Sequence, residues 1–362
     1  MRIVTTLPAA TETVAALGLE PVGVSHECDY PPGVESLPSI TRSRVDADAE
    51  SGEIDRQVLE AAADGGVYDV DVETLAAVEP ELIVTQDACD VCAVDEVIVE
   101  EAVERIAAER RASSARAASG FVEPEILTTD PHTVDDVLSD VERVGRATDR
   151  LERARVVRGE LETRIDRVRS RTAALDADDR PRVAIFDWTD PVMIAGHWTA
   201  ELVGWAGGEY GLADVGERSR PREWDEIREY DPEVVIVAPC GFSLAQIAEN
   251  RRDLVDRDGW TDLAAVRAGR VWAMDGNHYL NRPGPRLVDA LEVLARIVQP
   301  TLFEGIGASD GVDGNSTDGA DSSAPLAEVA VPFDRLDDVA AVNATPGPEG
   351  GHKRDATGGP EP

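Results

Sequence analysis

The sequence predicts an α/β fold: two Rossmann-like lobes with parallel sheets, joined by a single long backbone helix, with a ligand cleft between the lobes. Three observations lead there. Strand-like and helix-like segments alternate, which favours parallel sheets with right-handed crossovers. The same order of segments occurs twice. Between the two copies lies a long helical stretch.

The first copy opens with a strand at residues 3–7, followed by Pro8-Ala9-Ala10 and a short helix that stops at Gly18. A glycine there suits a left-handed helix C-terminus. Residues 72–79 form another short helix, Pro80 ends it, and Leu82-Ile83-Val84 begins a buried strand. The second copy opens with a strand at 182–186 and a helix at 199–206 before Gly207-Gly208. Its helix at 224–230 leads through Asp231-Pro232-Glu233 into Val234-Val235-Ile236-Val237. In both units a proline closes the helix and a β-branched run starts a strand covered on both faces.

Between the copies, Asp130-Pro131 reads as a helix start with Pro at the first helical position. Val134, Val137, Leu138, Val141 and Val144 follow at helical spacing. The helix breaks at 145–148 and resumes at 151–175, with Ala154, Leu161, Ile165 and Val168 as its apolar face. At 1.5 Å per residue this piece is ~37 Å long, a stiff joint that implies small hinge motion. The boundaries that follow are 1–130 for the first lobe, 131–178 for the linker and 179–303 for the second lobe. Residues 304–362, rich in Gly, Asp, Ser, Pro and Ala, are expected to be a disordered acidic tail.

The charge balance is extreme: 72 acidic against 35 basic residues, a net charge of −37, with Lys353 the single lysine. Such a field repels nucleic acid and anionic lipid, so neither is expected as a partner. The acids are spread along the whole chain, as in proteins that work in concentrated salt. No segment reaches the ~20 apolar residues of a membrane span, so membrane insertion is not expected. Met1-Arg2 runs straight into the first strand with no signal peptide or lipid-attachment cysteine. As written, the chain is expected to stay in the cytoplasm, or to face outward if the true start lies upstream. Four cysteines do not suggest a disulfide scaffold. Phosphate-binding Gly-rich loops, His-Glu-x-x-His and Gly-x-Ser-x-Gly are missing, which lowers the expectation of an enzyme.

Pro8-Ala9-Ala10-Thr11-Glu12 with Leu17-Gly18, the two helix-Pro-Glu-strand units, and Arg282-Pro283-Gly284-Pro285-Arg286 carry a resemblance. Over residues 1–303 the chain resembles the class III periplasmic binding proteins, the substrate-binding components of ABC importers for cobalamin and iron chelates. The segments at 25–31 and 89–94 look like the branch labelled cobalamin-binding protein. The resemblance implies reversible binding of a corrinoid, cobalamin or a precursor, with an ABC permease as partner and no required cofactor. It also implies that acidic residues dock on the permease, and Glu73 and Asp225 occupy matching positions.

In such a fold the ligand lies between the lobes, against loops that follow the strands. The candidates there are Pro8, Ala9, Thr11, His26, Tyr30 and Gln86 from the first half. Trp188, Asp190, His197, Trp198, Phe242, His278, Tyr279 and Arg282 are those from the second. A corrinoid needs aromatic faces for its ring, polar groups for its amide rim and a histidine near cobalt. For any single aromatic the alternative is core packing. Arg286 is expected to ion-pair with the neighbouring lobe. His26, Cys28, Cys89 and Cys92 form a candidate zinc or iron site, against the alternative of buried thiols. Two rival functions follow: a cytoplasmic Cys/His metalloprotein with a redox or hydrolytic role, or an iron-siderophore or haem binder on the same fold. Arg and Tyr clustered on the cleft loops would favour the anionic iron chelate; Trp and His favour the corrinoid.

Overall fold

The structure is a computed structural model and describes residues 1–87, 96–112, 122–304 and 326–337. Among these the strands are β1 (Ile3–Thr5), β2 (Thr41–Ser43), β3 (Tyr68–Val70), β4 (Leu82–Gln86) and β5 (Glu125–Thr129), then β6 (Val183–Thr189), β7 (Val192–Ile194), β8 (Arg220–Pro221), β9 (Val234–Val237), β10 (Val271–Met274) and β11 (Ala330–Pro332). They form a parallel sheet β1-β4-β5, an antiparallel pair β2-β3, and a six-stranded sheet β11-β10-β9-β6-β7-β8. In the large sheet β6, β9 and β10 run parallel, while β7, β8 and β11 are antiparallel additions at its edges. The fully apolar runs predicted to be buried are central: every residue of β4 and β9 is buried.

Both helix-proline units end alike. Helix Val72–Val78 is capped by Asp71, whose carboxylate accepts from the Thr74 amide, and it stops at Glu79 with φ 48° before Pro80. Helix Trp224–Tyr230 stops at Asp231 with φ 44° before Pro232. A left-handed residue turns the chain, and the proline prevents the helix from continuing.

The linker is two helices packed on each other, Val134–Ala147 and Leu151–Thr172. The first begins at Val134, not at Pro131, because Thr133 and Asp136 form a reciprocal capping box. The second has 22 residues and buries Ala154, Val157, Leu161, Ile165 and Val168. It also packs on the helix Leu287–Val298, where Arg164 donates to Asp289 and Glu292. One hydrophobic core runs from Ile3 and Val84 through this linker to Val183, Ile236 and Leu291. The two sheets therefore share a core, and a simple picture of two separate lobes on one rod does not describe them. The sheets are also unequal, three parallel strands against six mixed ones.

The expected tail departs from the structure at 326–337. There Val329, Ala330, Val331 and Leu336 are buried, and β11 pairs with β10. Among the described residues no helix is long and apolar enough to cross a membrane.

Candidate functional site

The C-terminal ends of the parallel strands from both sheets bring two loops together. One is the helix Pro8–Ala16 after β1 with the segment 25–31. The other runs from Asp275 to Arg286 after β10. Gly284 lets them approach closely, since a Cβ there would lie 3.2 Å from Glu12 Oε2 and 3.3 Å from Ala9 Cα.

Arg282, buried at 5% exposure, is the centre. Its Nη1 donates to Asp29 Oδ1 at 2.6 Å and to Glu12 Oε1 at 3.3 Å; its Nη2 donates to Asp29 Oδ2 at 3.0 Å and to Asn277 Oδ1 at 3.2 Å. A two-pronged guanidinium–carboxylate pair of this kind is among the stronger polar contacts in proteins. His278 adds a second bridge: Nε2 lies 2.7 Å from Asp29 Oδ2, and Nδ1 lies 2.9 Å from Asp275 Oδ1. Asp275 also accepts the amides of Asn277 and His278, so it fixes the loop as well as the ring.

Arg286 donates to Glu12 Oε1 at 3.3 Å. Its guanidinium carbon lies 4.4 Å from the Tyr30 ring centre and 4.5 Å from that of Tyr279. A cation thus sits between two tyrosine faces, one from each half of the chain.

The titration of these groups follows from the contacts. Hydrogen bonds to Asp275 and Asp29 raise His278 to about 9 against the opposing effect of burial, so it is an imidazolium at neutral pH. Burial pushes Asp29 up, but the bonds from His278 and Arg282 win and hold it below the usual carboxylate range. Burial raises Glu12 despite Arg286 and Arg282, and its Oε2 has no partner among the described residues.

A second contact closes the other side. Ser51 and Thr189 both donate to Asp253 Oδ2, the Ser51 amide donates to Asn250 Oδ1 at 3.1 Å, and Gln246 donates to the Ala47 carbonyl at 3.1 Å. The start of the helix Ser51–Ala63 is thereby docked onto the end of β6.

The sequence candidates separate into groups. Tyr30, His278, Tyr279 and Arg282 meet, over the buried Pro8, Ala9 and Thr11. Gln86 is buried at the end of β4. Trp188 packs on Phe242 at 5.0 Å, and Asp190 pairs with Arg257 at 3.3 Å. Trp198 is a core residue: it is 7% exposed and its indole N–H donates to the Leu280 carbonyl at 2.9 Å, so its ring offers no free face to a corrinoid. His197 stacks on Trp198 and faces His132 at 5.3 Å; burial, then His132 and Arg218, lower it to about 4.

Of the four metal candidates, the two among the described residues make separate contacts. His26 Nδ1 is 2.7 Å from Thr41 Oγ1, whereas the buried Cys28 thiol lies 3.0 Å from Thr11 Oγ1 and is pushed up to about 12 by burial. Cys89 and Cys92 lie outside the described residues. Among the described residues no group of three His, Cys, Asp or Glu is suited to hold a metal. Glu12, Asn277 and Asp275 were not among the candidates. Glu12 was detectable as a lone acid in the small-residue helix Pro-Ala-Ala-Thr-Glu-Thr-Val-Ala-Ala. Arg286 makes the cross-pair expected of it.

The sequence model described as "Periplasmic binding protein" matches residues 3–277. The chain belongs to that family. No curated protein sequence matches it. Among solved structures it is similar to the periplasmic vitamin B12 binding protein BtuF of Vibrio cholerae, at 20% identity and TM-score 0.56, covering 83% of this chain and 96% of that one. It is similar to a periplasmic heme binding protein from Pseudomonas aeruginosa, at 19% identity and TM-score 0.60, covering 83% and 93%. It also matches the periplasmic heme-binding protein RhuT from Roseiflexus sp. RS-1, at 22% identity and TM-score 0.59, covering 83% and 98%. These likenesses show the periplasmic-binding-protein α/β fold. As a member of the periplasmic binding protein family, the protein is a binding protein and not an enzyme. The cytoplasmic location expected from the first residues is overturned, because the family and its structural relatives are periplasmic.

Proposed function

We propose that this periplasmic binding protein delivers an anionic metal chelate, of the haem or siderophore class, to an ABC permease. Lobes at 1–130 and 179–303, joined by the linker at 131–178, would hold the chelate between them. The observation that carries the reading is Arg286 between the faces of Tyr30 and Tyr279, beside Arg282. Tyrosine rings suit a flat or aromatic ligand, and the guanidiniums suit its carboxylates or other acidic donors. On binding, the ligand's acidic groups take the places that Asp29 and Glu12 occupy on Arg282 and Arg286. Pro8, Ala9, Thr11 and Gln86 would form the floor, and His278 the rim.

A corrinoid is the second reading. The half-buried Trp188 supports it, as does the fold likeness to a vitamin B12 binding protein, whereas Phe242 beneath that ring is a core residue at 3% exposure. With Trp198 in the core it has fewer aromatic faces to use.

Titration of the protein with haemin and with cyanocobalamin separates the two. Haemin is expected to bind, and Arg286→Ala to weaken it about tenfold or more. Cyanocobalamin binding that is lost in Trp188→Ala and indifferent to Arg286→Ala would move the assignment to the corrinoid. Binding of neither of these, nor of a ferric carboxylate or catecholate siderophore titrated in the same way, would sink the chelate reading.

A further inference from the structure

We propose that residues 326–337 act as an internal strap: they complete the large sheet and hold the loop 275–279 in the position from which it reaches across the cleft. This segment lies beyond the family match, which ends at residue 277, and beyond the region expected to fold. Yet its side chains enter the cores on both faces of the sheet. Val329 and Ala330 join the core shared with the linker; Val331 and Leu336 join the core on the opposite face. Strand β11 covers the edge of β10, pairing Ala330 with Met274 and Val331 with Ala273, and Arg251 pairs with Asp337. An edge left bare at β10 would expose unpaired backbone groups.

The link to the cleft is direct. The Val329 carbonyl accepts from the Asp275 amide at 2.8 Å. Asp275 holds His278 through its ring and its amide, and His278 reaches Asp29 at 2.7 Å on the other side. A four-residue series, Val329 to Asp275 to His278 to Asp29, therefore connects the strap to the first half of the chain. A strap seated on β10 keeps the loop ordered and the cleft closed; a strap lifted from β10 releases the loop and favours opening.

The test needs no ligand, so its failure is distinct from failure of the chelate reading. Hydrogen exchange is compared in the full chain, in Val331→Ala and Leu336→Ala, and in Ile227→Ala, which removes a fully buried side chain of the helix Trp224–Tyr230 from the same core that holds Val331 and Leu336. The strap variants are expected to speed exchange about tenfold or more at 272–279 and at 28–30 across the cleft, with β1 and β4 unchanged. Ile227→Ala is expected to leave 28–30 as it was. The His278 titration, read by NMR, should fall from about 9 toward the ordinary value of 6.5 in the strap variants alone. Faster exchange at 272–275 with none at 28–30 would reduce the segment to an edge cover. Equal loss in every strand, or the same response in Ile227→Ala, would make it simply part of the core. Either result overturns the proposal.

Discussion

Arg282 shows how much of the site depends on single residues. It is buried between two carboxylates, and removing it leaves Asp29 only His278, and Glu12 only Arg286, as cationic partners. Breaking such a buried pair costs about 3–5 kcal/mol, and Arg282→Met is expected to lower stability by that order in a urea melt. Arg282→Lys should recover only part of it, because an ammonium cannot span both oxygens of Asp29. A melt unchanged by Arg282→Met would remove Arg282 from the centre of the site. His278 adds a pH dependence whose sign follows from its shift. Its folded pKa, about 9, lies above the ordinary 6.5. Its contribution is therefore complete below about 6.5 and is lost as pH rises through about 9. Stability measured across that window is expected to fall in the native protein, and the fall should be smaller in His278→Gln. Asp29 acts in the opposite direction, since its pKa is held low: its contribution is present above the usual carboxylate range and lost in acid. Tyr30, His278, Tyr279 and Arg282 were legible because polar and aromatic residues after parallel strands have few structural reasons to be there. Trp198 was misread because its partner, the Leu280 carbonyl, is 82 residues away. His26 and Cys28 were singled out as half of a metal site by spacing, and the other half, Cys89 and Cys92, lies outside the described residues. The side chains of His26 and Cys28 turn to Thr41 and Thr11, which no spacing rule reports.

At the level of elements, local chemistry was the more readable part. The helix-proline-strand units appear as expected, since proline and a left-handed residue act within a few residues of themselves. Helix ends were less readable: Pro131 suggested one start, and the capping pair Thr133 and Asp136 set another. Strand β11 escaped because three residues, Ala330-Val331-Pro332, are too short for a periodic signal, and Pro332 is tolerated only at a sheet edge. Its place is fixed by β10, far away in sequence. The two linker helices show the same dominance of packing over propensity. Gly145 lies inside the helix Val134–Ala147, where alanine is ordinarily better by about 1 kcal/mol. A Cβ there would lie 2.4 Å from the Ala154 Cβ of the neighbouring helix. Gly145→Ala is therefore expected to destabilise, by roughly 1–3 kcal/mol of overpacking. A stabilised variant in thermal melts would mean that the two helices separate easily, and that the linker is looser than its shared core implies.

Across the whole molecule the acids outnumber the bases so far that arginines are shared. Arg158 is within 4 Å of Asp135, Glu142 and Glu162, and Arg44 of Asp64 and Asp69. These pairs are mostly exposed and individually add little. The larger consequence is the surplus of carboxylates behind a net charge of −37. Their mutual repulsion favours any expanded state over the compact one. Salt weakens the exposed ion pairs and the repulsion together, but the repulsion has more members, so screening should favour the folded chain on balance. The range over which charges interact falls from about 10 Å at 0.1 M to about 3 Å at 1 M. The thermal midpoint is accordingly expected to rise by several degrees between those two potassium chloride concentrations. The buried pair of Arg282 with Asp29 is screened far less, so the increase should persist in Arg282→Met from a lower starting point. A midpoint that stays level or falls with salt would mean that the shared arginine networks, and not the surplus of acids, govern the stability of the fold.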